Sequence, residues 1–238
     1  MSFGISRGKP IDTTGIEVPV ATLPRLPDDL LHNPTLAHID IKAWFPNPAL
    51  PLHLEIGSGK GTFLLQEAPQ HPDANWLGIE YEREFFSFAA DRLRRTALTN
   101  IRMLCLDAGE FVHWRVPDNS CRAIHLYFPD PWPKSRHHKR RMIQDRFLQD
   151  ALRVLEPLGE LRVATDHADY WAWMRDHFDR WSTPADAPAN KPFAEVPFVR
   201  PLGAREGEVV GTNFERKYRL EGREFHATTL RKLPTARG

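Results

Sequence analysis

Cysteine is nearly absent from this 238-residue chain: Cys105 and Cys121 are the only two, and each sits inside an apolar run. Neither their number nor their spacing supports a disulfide framework or a zinc site, so both read as buried thiols in a reducing compartment, and the cytoplasm is the expected location. Long apolar runs are missing too. Nothing approaches the ~18–20 apolar residues of a membrane span, and the N-terminal MSFGISRGKP lacks the apolar core of a secretory signal, so no membrane partner is expected. Surplus charge of one sign is also lacking, since the formal net charge is +1. A nucleic-acid partner can therefore be argued only from local clustering. What remains, 41% hydrophobic and 26% charged residues, fits an ordinary globular protein with a substantial core.

Proline is plentiful at the start. Pro10, Pro19, Pro24, Pro27, Pro34, Pro46 and Pro48 punctuate residues 1–50, which read as an irregular arm with a short helical turn around Pro34–Lys42. Residues 51–238 read as one domain. Within it the short apolar runs LHLEIG, NWLGIE, NIRMLCLD, CRAIHLYFPD and ELRVATD are each followed by a helix-length segment. That alternation predicts βα units and a doubly wound, mostly parallel α/β sheet. The clearest helix follows the fourth run, where Ile143, Phe147, Leu148, Ala151, Leu152 and Leu155 form a 3.6-residue stripe. Pro184 to Pro201 reads as a long loop. FERKYRL and REFHATTL, around Glu221–Gly222, predict a closing antiparallel hairpin.

The five runs finish on Glu55, Glu80, Asp107, Asp130 and Asp166. Parallel strands place such ends on the ligand-binding edge of an α/β sheet. Aspartate there also serves as a helix cap: Asp107 with Glu110 fits a capping box, and Asp166 could cap the helix after it. Glutamate is a poor cap, so Glu55 and Glu80 point to a ligand. The turn Gly57-Ser58-Gly59-Lys60-Gly61 would let a ligand approach the backbone closely at its three glycines. It is neither a P-loop nor a dinucleotide fingerprint, and Glu55 beside it would repel a pyrophosphate. A cationic, phosphate-free nucleoside would be accepted, and S-adenosylmethionine is one. Glu80 follows Gly61 by the interval at which an acid meets ribose hydroxyls.

Tyr127 to Arg141, YFPDPWPKSRHHKRR, sets Asp130 among three prolines and the rings of Phe128 and Trp132, then adds Lys134, Arg136, Lys139, Arg140 and Arg141. Proline restricts its own φ and biases the preceding residue towards extended backbone, so the carboxylate should be held stiffly. The rings could stack on a base, and the cations could neutralise phosphates; a solvated charged face is the plainer alternative.

Those letters resemble the signature of the tRNA (guanine-N7-)-methyltransferase family, together with EIGSGKGTFL, LGIE, CLDA, ATD at 164–166 and TNFERK at 212–217. The resemblance covers roughly residues 50–232. It implies a class I, S-adenosylmethionine-dependent enzyme acting on tRNA, commonly at guanosine 46 of the variable loop. It implies that Glu55, Glu80, Asp107 and Asp130 meet the cofactor, with Asp130 also catalytic. It further implies that Lys134, Asp166, Thr212, Asn213, Phe214 and Glu215 meet the substrate. Thr212-x-x-Glu215 is also a capping-box pattern. No metal is implied, and a monomer and a homodimer are equally compatible. The rival readings are a methyltransferase acting on an exocyclic amine of another nucleic acid or protein, and a catalytically inactive RNA-binding relative.

Overall fold

The computed structural model describes residues 10–187 and 190–234. The chain divides into two compact units, Met1–Pro117 and Asp118–Gly238.

In the first unit three short apolar runs form strands β1 (Leu52–Ile56), β2 (Asn75–Ile79) and β3 (Ile101–Leu104), paired in parallel in the order β3-β2-β1. Every residue of β2 is buried, as a central parallel strand covered on both faces requires. Helices α1 (Thr62–Glu67), α2 (Arg83–Arg94) and α3 (Ala108–Arg115) follow the three strands in turn. Phe86, Ala89, Ala90 and Leu93 give α2 its buried stripe at helical spacing. Among residues 10–50, 3₁₀ turns at Val20–Thr22, Pro34–Ala37 and Ile41–Trp44 suit a chain short of backbone donors. Before them Val18 donates its N–H to the Met103 carbonyl and Met103 donates to Ile16, which adds a parallel bridge to the edge of β3 and buries Ile16 and Val18.

In the second unit β4 (Cys121–Tyr127) pairs in parallel with β5 (Leu155–Thr165). Between them α4 (Asp145–Val154) buries Phe147, Leu148, Ala151 and Val154. Helix α5 (Ala168–Trp181) leads to β6 (Ser182–Pro184), which pairs in parallel with β7 (Phe193–Val196). The last strand, β8 (His226–Lys232), runs antiparallel to both β5 and β7. The fold is thus of the expected mostly parallel α/β class with antiparallel strands at its C-terminal end.

Three local expectations are corrected. FERKYRL is not a strand: Asn213–Arg219 forms helix α6, because Thr212 caps it and the Thr-x-x-Glu pattern outweighs the β-prone ring residues. The antiparallel partners of β8 are therefore β5 and β7. The Pro184–Pro201 stretch is interrupted by β7, whose Phe193 is fully buried. Cys121 is buried, whereas Cys105 is only half-buried. Among the described residues no helix is long and apolar enough to cross a membrane.

Candidate functional site

The first unit gathers three of the acids at the carboxyl ends of adjacent parallel strands. Glu55 lies at the end of β1 and is 4% exposed, and its Oε2 has no hydrogen-bond partner. Burial pushes its carboxyl up to about 8; the Glu80 charge adds to the shift and Ser58 opposes it. Oε2 and the neighbouring Ser58 hydroxyl, both buried and without a partner, form a polar pair that a ligand's donor could satisfy. Glu80 follows β2. It accepts the Gly59 N–H on Oε2 at 2.7 Å and the Glu82 N–H on Oε1 at 2.9 Å, so it braces the glycine turn from below. Burial raises its pKa too, against the pull of those amides.

Gly57, Gly59 and Gly61 all adopt left-handed φ, at +75°, +53° and +68°. A Cβ at Gly57 or Gly59 would meet nothing within 4 Å, so that side of the turn is open. Gly61 differs. A Cβ there would lie 3.0 Å from the Ala89 Cβ and 3.4 Å from Leu93, so the third glycine allows α1 to approach α2 rather than facing a ligand. Asp107 caps α3, its Oδ1 accepting the Glu110 N–H at 2.9 Å, as the capping reading expects.

In the second unit Asp130 is exposed, just beyond β4. The prolines do not impose extended neighbours: Phe128 and Trp132, each preceding a proline, take φ of +53° and +43°. Left-handed backbone at a bulky residue costs about 1–3 kcal/mol and persists only where the surroundings over-determine it. Phe128 stacks on Phe214 with ring centres 5.0 Å apart and meets the edge of Phe225. The Arg140 guanidinium lies 4.8 Å from the Trp132 ring centre. Both rings singled out for base stacking thus already have a neighbour. Lys134, Arg136, Lys139 and Arg140 are exposed, the last three on a 3₁₀ turn, Ser135–Arg140. Arg141 turns inward and leaves the cationic track with four members.

Asp166 follows β5 and pairs with Arg223. It does not cap α5: His167 does, its Nδ1 accepting the Tyr170 N–H at 3.3 Å. Thr212 caps α6, and Phe214, through its stack on Phe128, joins the 212–215 motif to the Asp130 turn. Asn213 is exposed. Glu215 is fully buried and accepts the N–H groups of Val209, Val210 and Gly211 at 2.6–2.8 Å, together with Arg219 at 2.7 Å. Its carboxylate organises the 209–211 loop and is not presented to a substrate. Burial pushes its pKa up, but those donors outweigh it and hold the carboxyl below its usual range. Glu215→Ala is expected to lower unfolding free energy by about 2–4 kcal/mol, measured by urea titration, because two buried amides and one half-buried amide lose this acceptor.

Sequence reasoning missed the inward turn of Arg141. The available signal was Tyr170 and Trp173, three apart on one helix face, with Asp169 beside them.

A family model described as "Putative methyltransferase" matches residues 49–221. The tRNA (guanine-N(7)-)-methyltransferase of Halorhodospira halophila is 36% identical over 200 residues, covering 84% of this chain and 82% of that protein. That of Alkalilimnicola ehrlichii is 35% identical over 186 residues, covering 76% and 73%. Among solved structures, the antibiotic-resistance methyltransferase Kmr shares the fold alone, with a TM-score of 0.50 at 15% identity over 90% of this chain and 96% of that one.

Proposed function

The chain belongs to the tRNA (guanine-N(7)-)-methyltransferase family, and from that membership we propose that it methylates N7 of a guanosine in tRNA, at position 46 of the variable loop, in the cytoplasm. The observation that carries the reading is the buried, unpartnered Oε2 of Glu55, two residues before a turn whose Gly57 and Gly59 each face open space. An ammonium group is the donor such an oxygen needs, and a nucleoside that brings no phosphate suits a turn backed by two carboxyls. These residues fit S-adenosylmethionine, which supplies a methyl group on a sulfonium.

Glu55 would hold the cofactor's ammonium group and Glu80 its ribose hydroxyls, while Asp107 bounds the same edge. Gly57 and Gly59 leave room for the backbone to approach it. Guanine N7 carries a lone pair and no proton, so no general base is required. The bound cofactor would supply an electrophilic methyl group, leaving this chain to position N7 and to tolerate the positive charge that would develop on the purine. Asp130 is the carboxylate suited to accepting guanine N–H groups and offsetting that charge. Asp166, Thr212, Asn213 and Phe214 flank the base, with Glu215 shaping their loop from inside. Lys134, Arg136, Lys139 and Arg140 neutralise tRNA phosphates.

Incubation with labelled S-adenosylmethionine and unmodified tRNA, followed by chemical cleavage at 7-methylguanosine, tests the atom and the nucleotide together. Label on an exocyclic amine would overturn the reading. Converting Lys134, Arg136 and Arg140 together to Ala is expected to weaken tRNA binding and reduce its salt slope by about 0.7–0.9 per lost phosphate contact. A slope equal to that of the unaltered protein would assign these cations to a solvated surface.

A further inference from the structure

Arg141 ends a run of basic residues, yet it is 1% exposed, while four cations before it face solvent. Burying a guanidinium is costly unless its charge and its donors are met. Here each requirement is met by an identifiable group. Nε–H donates to the Pro131 carbonyl at 2.8 Å, and the fork pairs with the Asp169 carboxylate. The guanidinium lies 5.0 Å from the ring centre of Tyr170 and 5.2 Å from that of Trp173. The last three residues sit on α5, at positions that share one helix face.

The same rings hold the chain just after Arg141. Ile143 donates its N–H to the Tyr170 hydroxyl at 3.2 Å, and its carbonyl accepts the Trp173 indole N–H at 2.7 Å. Helix α5 therefore grips the segment twice: once at Ile143, and once, through Arg141, at the carbonyl of the residue that follows Asp130. The left-handed backbone at Phe128 and Trp132 needs an external restraint, and this bond supplies one on the Asp130 side of Trp132.

We propose that Arg141 is a positioning residue for methyl transfer: its fork fastens the Pro131 carbonyl to α5 and so holds the Asp130 carboxylate in one place, without touching tRNA. The inference rests on the role given to Asp130 above. Lysine could keep the charge opposite Asp169, but it is a point charge without a planar fork and cannot stack between two rings while bonding a carbonyl.

The test compares R141K, R141A, D169N and D130N in the full chain, measuring kcat, KM for tRNA, the salt slope of tRNA binding, and melting temperature. R141K is expected to lower kcat about 10–100-fold, the scale of loss that a misplacement of about 1 Å produces, with KM for tRNA and the salt slope unchanged. D169N removes the charge opposite a buried guanidinium, so its melting temperature is read together with its kcat; below that melting temperature it should show a several-fold loss in the same pattern. Millimolar ethylguanidinium should restore part of the kcat of R141A. Unchanged kcat in R141K would overturn the inference, and unchanged kcat in D169N would overturn the part given to Asp169. An R141A salt slope reduced by the 0.7–0.9 of a phosphate contact would also overturn the inference. If D130N is inactive while R141K matches the unaltered protein, only the positioning role fails; if D130N is fully active, the reading of Asp130 fails and this inference with it.

Discussion

Asp130→Asn is expected to lower kcat about 100-fold or more while leaving the dissociation constants for S-adenosylmethionine and tRNA within about twofold of their starting values. The substitution preserves shape and one acceptor oxygen but removes the negative charge. The proposed step needs no proton abstraction, so the loss measures electrostatic and positional help alone. Removing one preorganised group from a site that stabilises developing charge costs about 10²–10³ in rate. The exposure of Asp130 and its position between two left-handed residues mean that little packing changes with it. Single-turnover methylation with saturating cofactor gives the decisive number, and a rate matching that of the unaltered protein would remove Asp130 from the chemistry.

The second large effect is a pH dependence of cofactor binding set by Glu55. In the ligand-free protein burial raises this carboxyl from 4.5 to about 8, so at neutral pH it is mostly protonated. Its contribution to stability is complete below the unfolded value and is lost as the pH rises through the folded one. A cationic ligand favours the ionised form and must expel that proton. Affinity for S-adenosylmethionine should therefore increase with pH between about 5.5 and 7.5, by up to tenfold per unit, before the ligand's own amine begins to titrate near 7.7–8.0. Calorimetry in buffers of different ionisation enthalpy should find close to one proton released per cofactor bound at pH 6.5. Glu55→Gln should bind more weakly at pH 7.5 and lose the slope. A Glu55→Gln profile parallel to that of the unaltered protein would show that another group carries the proton.

Much of the architecture was legible because its determinants are local. Leu52–Ile56 and Asn75–Ile79 are short, apolar and bounded by turn residues, and α4 keeps a clean helical stripe. The end of the chain misled because local signals conflicted. FERKYRL contains β-prone rings, but the Thr212 cap and the acceptor capacity of Glu215 favour a helix, and only the burial of that glutamate under three amides decides the matter. In the glycine turn the spacing indicated close approach at all three positions. The direction in which each missing Cβ would point then separates the open Gly57 and Gly59 from Gly61, which packs on α2.

The sequence by itself determined the parallel βα class, the placement of Glu55, Glu80 and Asp107 at successive strand ends, and the family to which the chemistry belongs. Strand period, glycine spacing and a long unusual motif are properties of neighbouring letters. Tertiary structure alone decided which charges are used and which are hidden. Arg141 is written as one cation among five, and it becomes a buried clamp only because α5 brings Asp169, Tyr170 and Trp173 to it from 28–32 positions away in the chain. Desolvation depends on everything that surrounds a group in space. That is why the raised pKa of Glu55 and the burial of Glu215 could not be read from the residues beside them.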